Sequence, residues 1–294
     1  MPGALARHAR VAASRGETGR VSPSRPRAIL TGLALVPVLA WSLFPIYWIA
    51  TASLKTELSL YAKPPEWLFA PVLDNYRRVL TNIPFLQYVS NSLVVAIGTT
   101  LGSLVLGVLA GYGFARFRFR GSDAVRFLVL VTRMAPRMAL VVPYYLMMQK
   151  LGLLDTYTGL LVAYVSFALP FSIWLLIGFF ADVPLEIEEA AMIDGCGRLG
   201  VLLRVVIPIV APGLVVAAIF AFLVSWNEFL FALILSGVRA KTLPVVIAGL
   251  STDVGPLYGD MSAAAVMVMA PNIVMTLVLQ RYLVKGLTLG AVKG

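Results

Sequence analysis

Three groups of residues in this 294-residue chain hold the polar chemistry. Glu186, Glu188, Glu189 and Asp194 crowd the short stretch "LEIEEAAMIDGCG" (185–197). Arg133 and Arg137 stand four residues apart in the apolar run "LVTRMAPRMALVVPYY" (130–145). Trp226, Asn227 and Glu228 interrupt another, "VSWNEFLFALIL" (224–235). Catalysis at depth needs a base beside a nucleophile, or two carboxylates together. The single histidine, His8, lies in a polar segment, and Glu228 has no carboxylate partner inside an apolar run. An intramembrane enzyme therefore lacks its groups. One cysteine, Cys196, argues against a disulfide framework, and with one histidine no metal site is expected. No G-x-x-x-x-G-K-[ST] phosphate loop occurs, so the chain does not hydrolyse ATP by that route. What remains is docking chemistry in the acidic stretch and solute or helix recognition in the apolar runs.

The elements that position these residues follow from composition. The chain is 60% hydrophobic and 13% charged, with mean hydropathy +0.88. Soluble domains are roughly 45–50% apolar and about 25% charged, so this is an all-α polytopic membrane protein. Its net charge of +10 is no nucleic-acid footprint, because Lys and Arg lie between oily runs rather than on one face. A hydrocarbon core of roughly 30 Å needs about 20 helical residues. Six segments meet that length, near 28–54, 88–114, 124–149, 157–180, 209–236 and 261–284. Residues 1–27 are Arg-, Ser- and Pro-rich and predict a disordered basic cytoplasmic tail. A secretory signal is disfavoured, because the following apolar run of about 25 residues exceeds a signal core. The side holding that tail, 115–126, 181–208 and the C-terminus carries fifteen Lys and Arg, against seven opposite. That bias predicts both termini and the acidic loop in the cytoplasm. A short surface helix is expected from Asp74, in the longest external connection, 55–87.

In the acidic loop, Pro184 suits the start of a helix. Glu186, Glu188 and Glu189 fall in its first turns, where the helix dipole favours them. Ile187, Ala190, Ala191 and Ile193 are spaced as one small apolar face, and Gly195 ends the helix. A second helix, "RLGVLLRVVI" (198–207), runs to Pro208. Two readings fit this helix–turn–helix: a surface that receives a partner, or a loop helix packed on its own bundle.

The series Glu189-Ala190-Ala191, Gly195, Val205, Ile207-Pro208 resembles the signature loop of inner-membrane permease subunits of binding-protein-dependent ABC importers. The stretches "TASLKT" (51–56), "DNYRRVL" (74–80), "SNSLVVA" (90–96), "GYGFARFRFRG" (111–121), "IEEAAMIDGCGRL" (187–199), "VSWNEFLFALIL" and "LQRYLVKGLTLGAVKG" (279–294) resemble the carbohydrate branch, of the maltose-transporter membrane-subunit type. The resemblance covers about 28–294 in order. It implies a type I ABC importer transmembrane domain in the bacterial inner membrane: a non-catalytic permease subunit forming half the path for a sugar or sugar-like solute. It implies that the loop 182–208 seats on an ATPase through Glu188, Glu189, Ala190, Ala191, Asp194, Gly195 and Pro208. The tail 285–294 is similar to one that reaches the ATPases, here with Gly286, Gly290, Lys293 and Gly294. The implied partners are a second homologous permease, two cytoplasmic ATPase subunits, an extracytoplasmic sugar-binding protein and the bilayer. No cofactor is implied on this chain; ATP and Mg belong to the partner ATPase. The family pattern ends in aliphatic-Leu-Pro where this chain has Ile207-Pro208, a small departure.

Arg133 and Arg137 are a larger departure, since the family places an uncharged polar residue and a small one there. Four apart, they are expected on one helix face. At a helix centre each costs about 2.5–3.5 kcal/mol to insert. Either they line the pathway and favour an anionic or strongly hydrogen-bonding sugar, or they pair between helices, with Glu228 as a partner. Asn91, Trp226 and Asn227 divide the same way, between sugar contact and helix–helix glue. A secondary transporter or channel is the other membrane class, but no internal repeat is visible and a coupling loop would be without purpose in it.

Overall fold

A computed structural model describes residues 25–252 and 255–290. Most of the expected basic tail therefore lies outside the described residues, as do Lys293 and Gly294. The chain divides after Trp48. Helix α1 (Arg25–Ala52) carries the run Leu33–Ala52, long and apolar enough to cross a membrane, with Pro37 and Pro45 inside it. Its side chains from Leu33 to Trp48 are exposed, Trp41 at 83%.

The second unit is built on two long helices, α3 (Phe85–Arg116) and α6 (Tyr157–Ala181), which pack along their length. Small residues permit this closeness. A Cβ at Gly107 would sit 3.1 Å from the Ser172 Cβ, and one at Gly111 3.2 Å from that of Leu176. Helix α9 (Ala211–Trp226) leans on both, and α12 (Tyr258–Gly290) packs on α9. The helix expected from Asp74 is present as α2 (Asp74–Asn82), amphipathic, with Asn75 and Val79 buried. Asn75 donates to the carbonyls of Ser53 and Lys55, and Arg78 bridges Asp260 at 2.6 Å, fixing α2 to the start of α12.

Two of the six expected spans are not continuous helices. The third divides into α4 (Ser122–Val131), a 3-10 turn at Thr132–Met134, and α5 (Arg137–Lys150). Ala135 and Pro136 between them are extended. Proline has no N–H for the helix ladder and pushes the residue before it out of the α region. The fifth ends at Trp226, and a short helix α10 (Leu230–Leu235) follows a break at Asn227–Phe229. At its other end, α9 meets the helical run α8 (Arg198–Ile209) at 82°, where Pro208 and Pro212 each lack a donor. Among the described residues, four helices have the length and apolarity of a span: Leu33–Ala52, Phe85–Arg116, Tyr157–Ala181 and Tyr258–Val278, or five if the bent pair is one.

The connection after α5 is held by one residue. Asp155 adopts a left-handed φ of 53° and accepts backbone N–H bonds from Gly237, Val238, Arg239 and Ala240 at 2.8–3.1 Å. Burial pushes its carboxyl up, but the four N–H donors outweigh that and hold it down at about 2. Helix α11 (Leu243–Ala248) follows, its Leu243 N–H bonded to the Ser92 hydroxyl on α3.

Candidate functional site

The acidic loop folds as the sequence spacing predicts, but its faces are reversed. Helix α7 (Leu185–Ile193) starts directly after Pro184, with Glu186 and Glu188 in its first turn. It stops in a Schellman turn. Gly195 takes φ +91°, its N–H bonds to the Met192 carbonyl, and the Cys196 N–H bonds to the Ala191 carbonyl. Glycine is needed there because an L side chain rarely tolerates that φ. Ala191 and Cys196, half-buried, close the turn against an apolar cluster that contains Val183, Val201, Leu202 and Val206.

The side of α7 that points inward carries a charge. Glu188 is 4% exposed. Its carboxylate accepts from the Tyr112 hydroxyl at 2.7 Å and from Arg116 Nε at 2.6 Å. Arg116 also donates to the Val183 carbonyl at 2.8 Å. The end of α3 is therefore bolted to the start of the loop by a buried, fully bonded ion pair. The expected apolar face does not pack as one. Ala191 turns in beside Glu188, one helix turn away, while Ile187, Ala190 and Ile193 face out, with Ile193 at 86% exposure. Glu189, Asp194, Gly195 and Pro208 are exposed as well. An isolated loop helix would hide isoleucine and show glutamate. This one buries glutamate and shows Met192 and Ile193 between two acids.

The C-terminal residues Gly286 and Gly290 lie within α12, whose backbone stays helical to Gly290.

The polar groups of the apolar runs separate into two sets. Asn91 is buried, donating to the carbonyls of Arg239 and Lys241 and accepting from the Tyr157 hydroxyl at 2.7 Å. Trp226 is buried, stacked on Phe222, with its indole N–H on the Val268 carbonyl. Glu228 is buried and accepts the N–H groups of Phe231 and Ala232, capping α10. All three are turned into the bundle and hold the breaks and connections of the fold. Asn227 differs: it is exposed, and it exchanges side-chain amide bonds with Asn272 on α12.

Arg133 and Arg137 form the second set. They do not share a helix face, because the Pro136 break lies between them, and neither pairs with Glu228. Each instead covers an aromatic ring on α6. The Arg133 guanidinium carbon is 4.7 Å from the Phe171 centroid and that of Arg137 is 5.4 Å from Phe167. Tyr144 continues the aromatic surface, 5.6 Å from Phe167, and shares a 2.6 Å hydrogen bond with Ser166. The groups that sequence reasoning missed are Tyr112, Arg116 and Asp155. Arg116 counted as a charge of the 115–126 loop and as part of the stretch 111–121, and nothing local in the sequence marks its partner 72 residues away.

Comparison with known proteins gives one consistent answer. Residues 103–288 match the family described as binding-protein-dependent transport system inner membrane component. The trehalose/maltose transport system permease protein of Thermococcus litoralis is 35% identical over 276 residues, covering 90% of this chain and 96% of that one. The sulfoquinovosyl glycerol transport system permease protein of Agrobacterium fabrum is 36% identical over 286 residues, covering 97% and 99%. Among solved structures, a chain of a bacterial ABC transporter involved in import of the acidic polysaccharide alginate superposes with a TM-score of 0.73. It is 25% identical and the match covers 88% of this chain and 98% of that one.

Proposed function

The chain belongs to the family of inner membrane components of binding-protein-dependent transport systems, and from that membership we propose that it is the permease subunit of an ATP-driven importer of a sugar or sugar-like solute. The substrate class follows the relatives, whose names give trehalose, maltose and sulfoquinovosyl glycerol. The chain forms half of the path. A second, homologous permease forms the other half, an extracytoplasmic binding protein delivers the solute, and two cytoplasmic ATPase subunits bind ATP and Mg and drive the cycle.

In this reading the chain crosses the membrane six times, with α4 and α5 together as the third crossing and α9 and α10 as the fifth. The Lys and Arg bias places both termini and the acidic loop in the cytoplasm. The loop 184–208 couples to the ATPase through its outward groups: Glu189, Ala190, Met192, Ile193, Asp194 and Gly195, with Pro208 at the far end. Glu188 serves from within, since its bond to Arg116 makes α3 move when α7 is pushed. Gly286, Gly290, Lys293 and Gly294 give the ATPases a second contact. Arg133, Arg137 and Asn227 face the path, in a frame braced by Asn91, Trp226 and Glu228.

The observation that carries this reading is the reversed helix α7, with a buried ion pair inside and Ile193 86% exposed outside. Co-purification tests it. Ile193→Glu should strip the ATPase from a membrane-inserted chain present at normal level. An ATPase retained at wild-type stoichiometry by Ile193→Glu and by Gly195→Val would refute the coupling role.

A further inference from the structure

We infer that the pocket between the α4–α5 break and the middle of α6 is an anion subsite, shaped for the carboxylate or sulfonate of an acidic saccharide. The inference rests on the reading of Arg133 and Arg137 as path residues and adds the substrate's charge to it.

Among the described residues, neither guanidinium has a carboxylate within ion-pair distance and neither donates a hydrogen bond. The two rings beneath them lie four apart on α6, and each supports one face of a guanidinium. Ring contact uses a face; it leaves the N–H fork at the edge in need of an acceptor. Two cations gathered in an apolar span with no counter-charge call for an anion supplied from outside the chain.

The surroundings favour the same ligand. Arg137 opens α5, so its charge stands at the positive end of a 14-residue helix, the end that favours anions over cations. The backbone from Thr132 to Pro136 leaves α-helical geometry. At membrane depth such backbone persists only where protein covers it or a cavity runs beside it. The pocket at this break has a volume of about 60 Å³ and is lined by Thr132, Arg133, Arg137, Ser166, Phe167 and Pro170. That is room for a few waters, at roughly 10–15 Å³ of such volume for each, and enough for an acid group. A larger space of about 490 Å³ adjoins it and shares Thr132, Ser166, Phe167 and Pro170, with Tyr144 on its wall. The acid group enters the small pocket, and the ring lies along the aromatic wall outside it.

Charge-selective labelling of the assembled importer in nanodiscs tests this. Ser166, exposed at the pocket rim, becomes Ser166→Cys in a Cys196→Ser background. The probes are two methanethiosulfonates, one bearing an ethylsulfonate and one an ethyltrimethylammonium. Each rate is normalised to that reagent's rate with a free thiol, and label on this chain is located by mass spectrometry. The anionic reagent should react about tenfold faster or more, as two nearby cations at intermediate dielectric require. Arg133→Gln with Arg137→Gln should bring the ratio to about one. Each single Gln variant should lower it in part, and the Lys pair should keep it. Equal rates for the two reagents without Gln substitution, or a preference that survives the Gln pair, would overturn the anion subsite and leave the path reading standing. Failure of both reagents, while Asp123→Cys, at a side chain 93% exposed, labels freely, would bring down the path reading and this inference with it.

Discussion

The bond between Arg116 and Glu188 makes a strong quantitative demand. Their side chains are 8% and 5% exposed and meet at 2.6 Å, with the Tyr112 hydroxyl and the Val183 carbonyl completing the set. Removing one member of such a pair leaves the other charge dry and unmatched, at a cost of about 3–5 kcal/mol. Glu188→Ala also orphans the Tyr112 hydroxyl, worth about 1 kcal/mol more. With roughly 2–4 °C per kcal/mol for a chain of this class, Glu188→Ala and Arg116→Met should each lower the melting temperature in nanodiscs by about 6–20 °C. The double variant Arg116→Met/Glu188→Leu buries no charge, and replacing both members of a buried pair is often neutral. It should therefore melt well above either single variant. Tyr112→Phe, which deletes one hydrogen bond and no charge, should cost only about 1 kcal/mol. The reasoning fails if the double variant melts as low as the sum of the singles, or if Glu188→Ala lies within about 0.5 kcal/mol of the parent. Restored stability need not restore coupling. ATPase stimulation in the double variant should stay low, because an apolar contact slides where a bonded ion pair pulls.

Gly195→Ala meets no steric neighbour but forces a left-handed φ on alanine, at about 1–2 kcal/mol. Proteolysis at the α7–α8 turn should rise while the melting temperature of the bundle barely moves. Asp155 is held at about 2 in the fold against an ordinary 3.8, so its contribution is complete above about pH 4 and is lost as pH falls through about 2. Hydrogen exchange at the amides of 237–240 should quicken over that window, and Asp155→Asn, which keeps the left-handed φ but loses the charge, should remove the pH dependence. Gly213→Ala places a methyl 2.4 Å from the Phe179 ring, where α9 meets α6. Overpacking of this kind costs about 1–3 kcal/mol, and a melting temperature equal to the parent's would show that α6 and α9 are not in close contact there.

The sequence by itself determined the class of this molecule. Long oily runs separated by basic loops require a membrane protein, because apolar length and flanking charge act locally and independently of packing. The acidic loop was also legible as helix, turn and helix, since Pro184, Gly195 and Pro208 set backbone limits that no tertiary contact has to supply. Helix direction and faces were not legible. The spacing of Ile187, Ala190, Ala191 and Ile193 pointed to an inner apolar face. The structure turned Glu188 inward instead, because Tyr112 and Arg116 arrive from the far end of α3 to satisfy it. Arg133 and Arg137 read as one helical stripe until Pro136 parted them, and the rings that receive them come from α6. Asn91, Trp226 and Glu228 were open in the sequence between sugar contact and helix–helix contact, and in the structure each finds its hydrogen bonds inside the bundle. A buried polar group must find its partner somewhere. Sequence reveals the need, and only the packing of distant helices decides which partner meets it and which groups are left facing out.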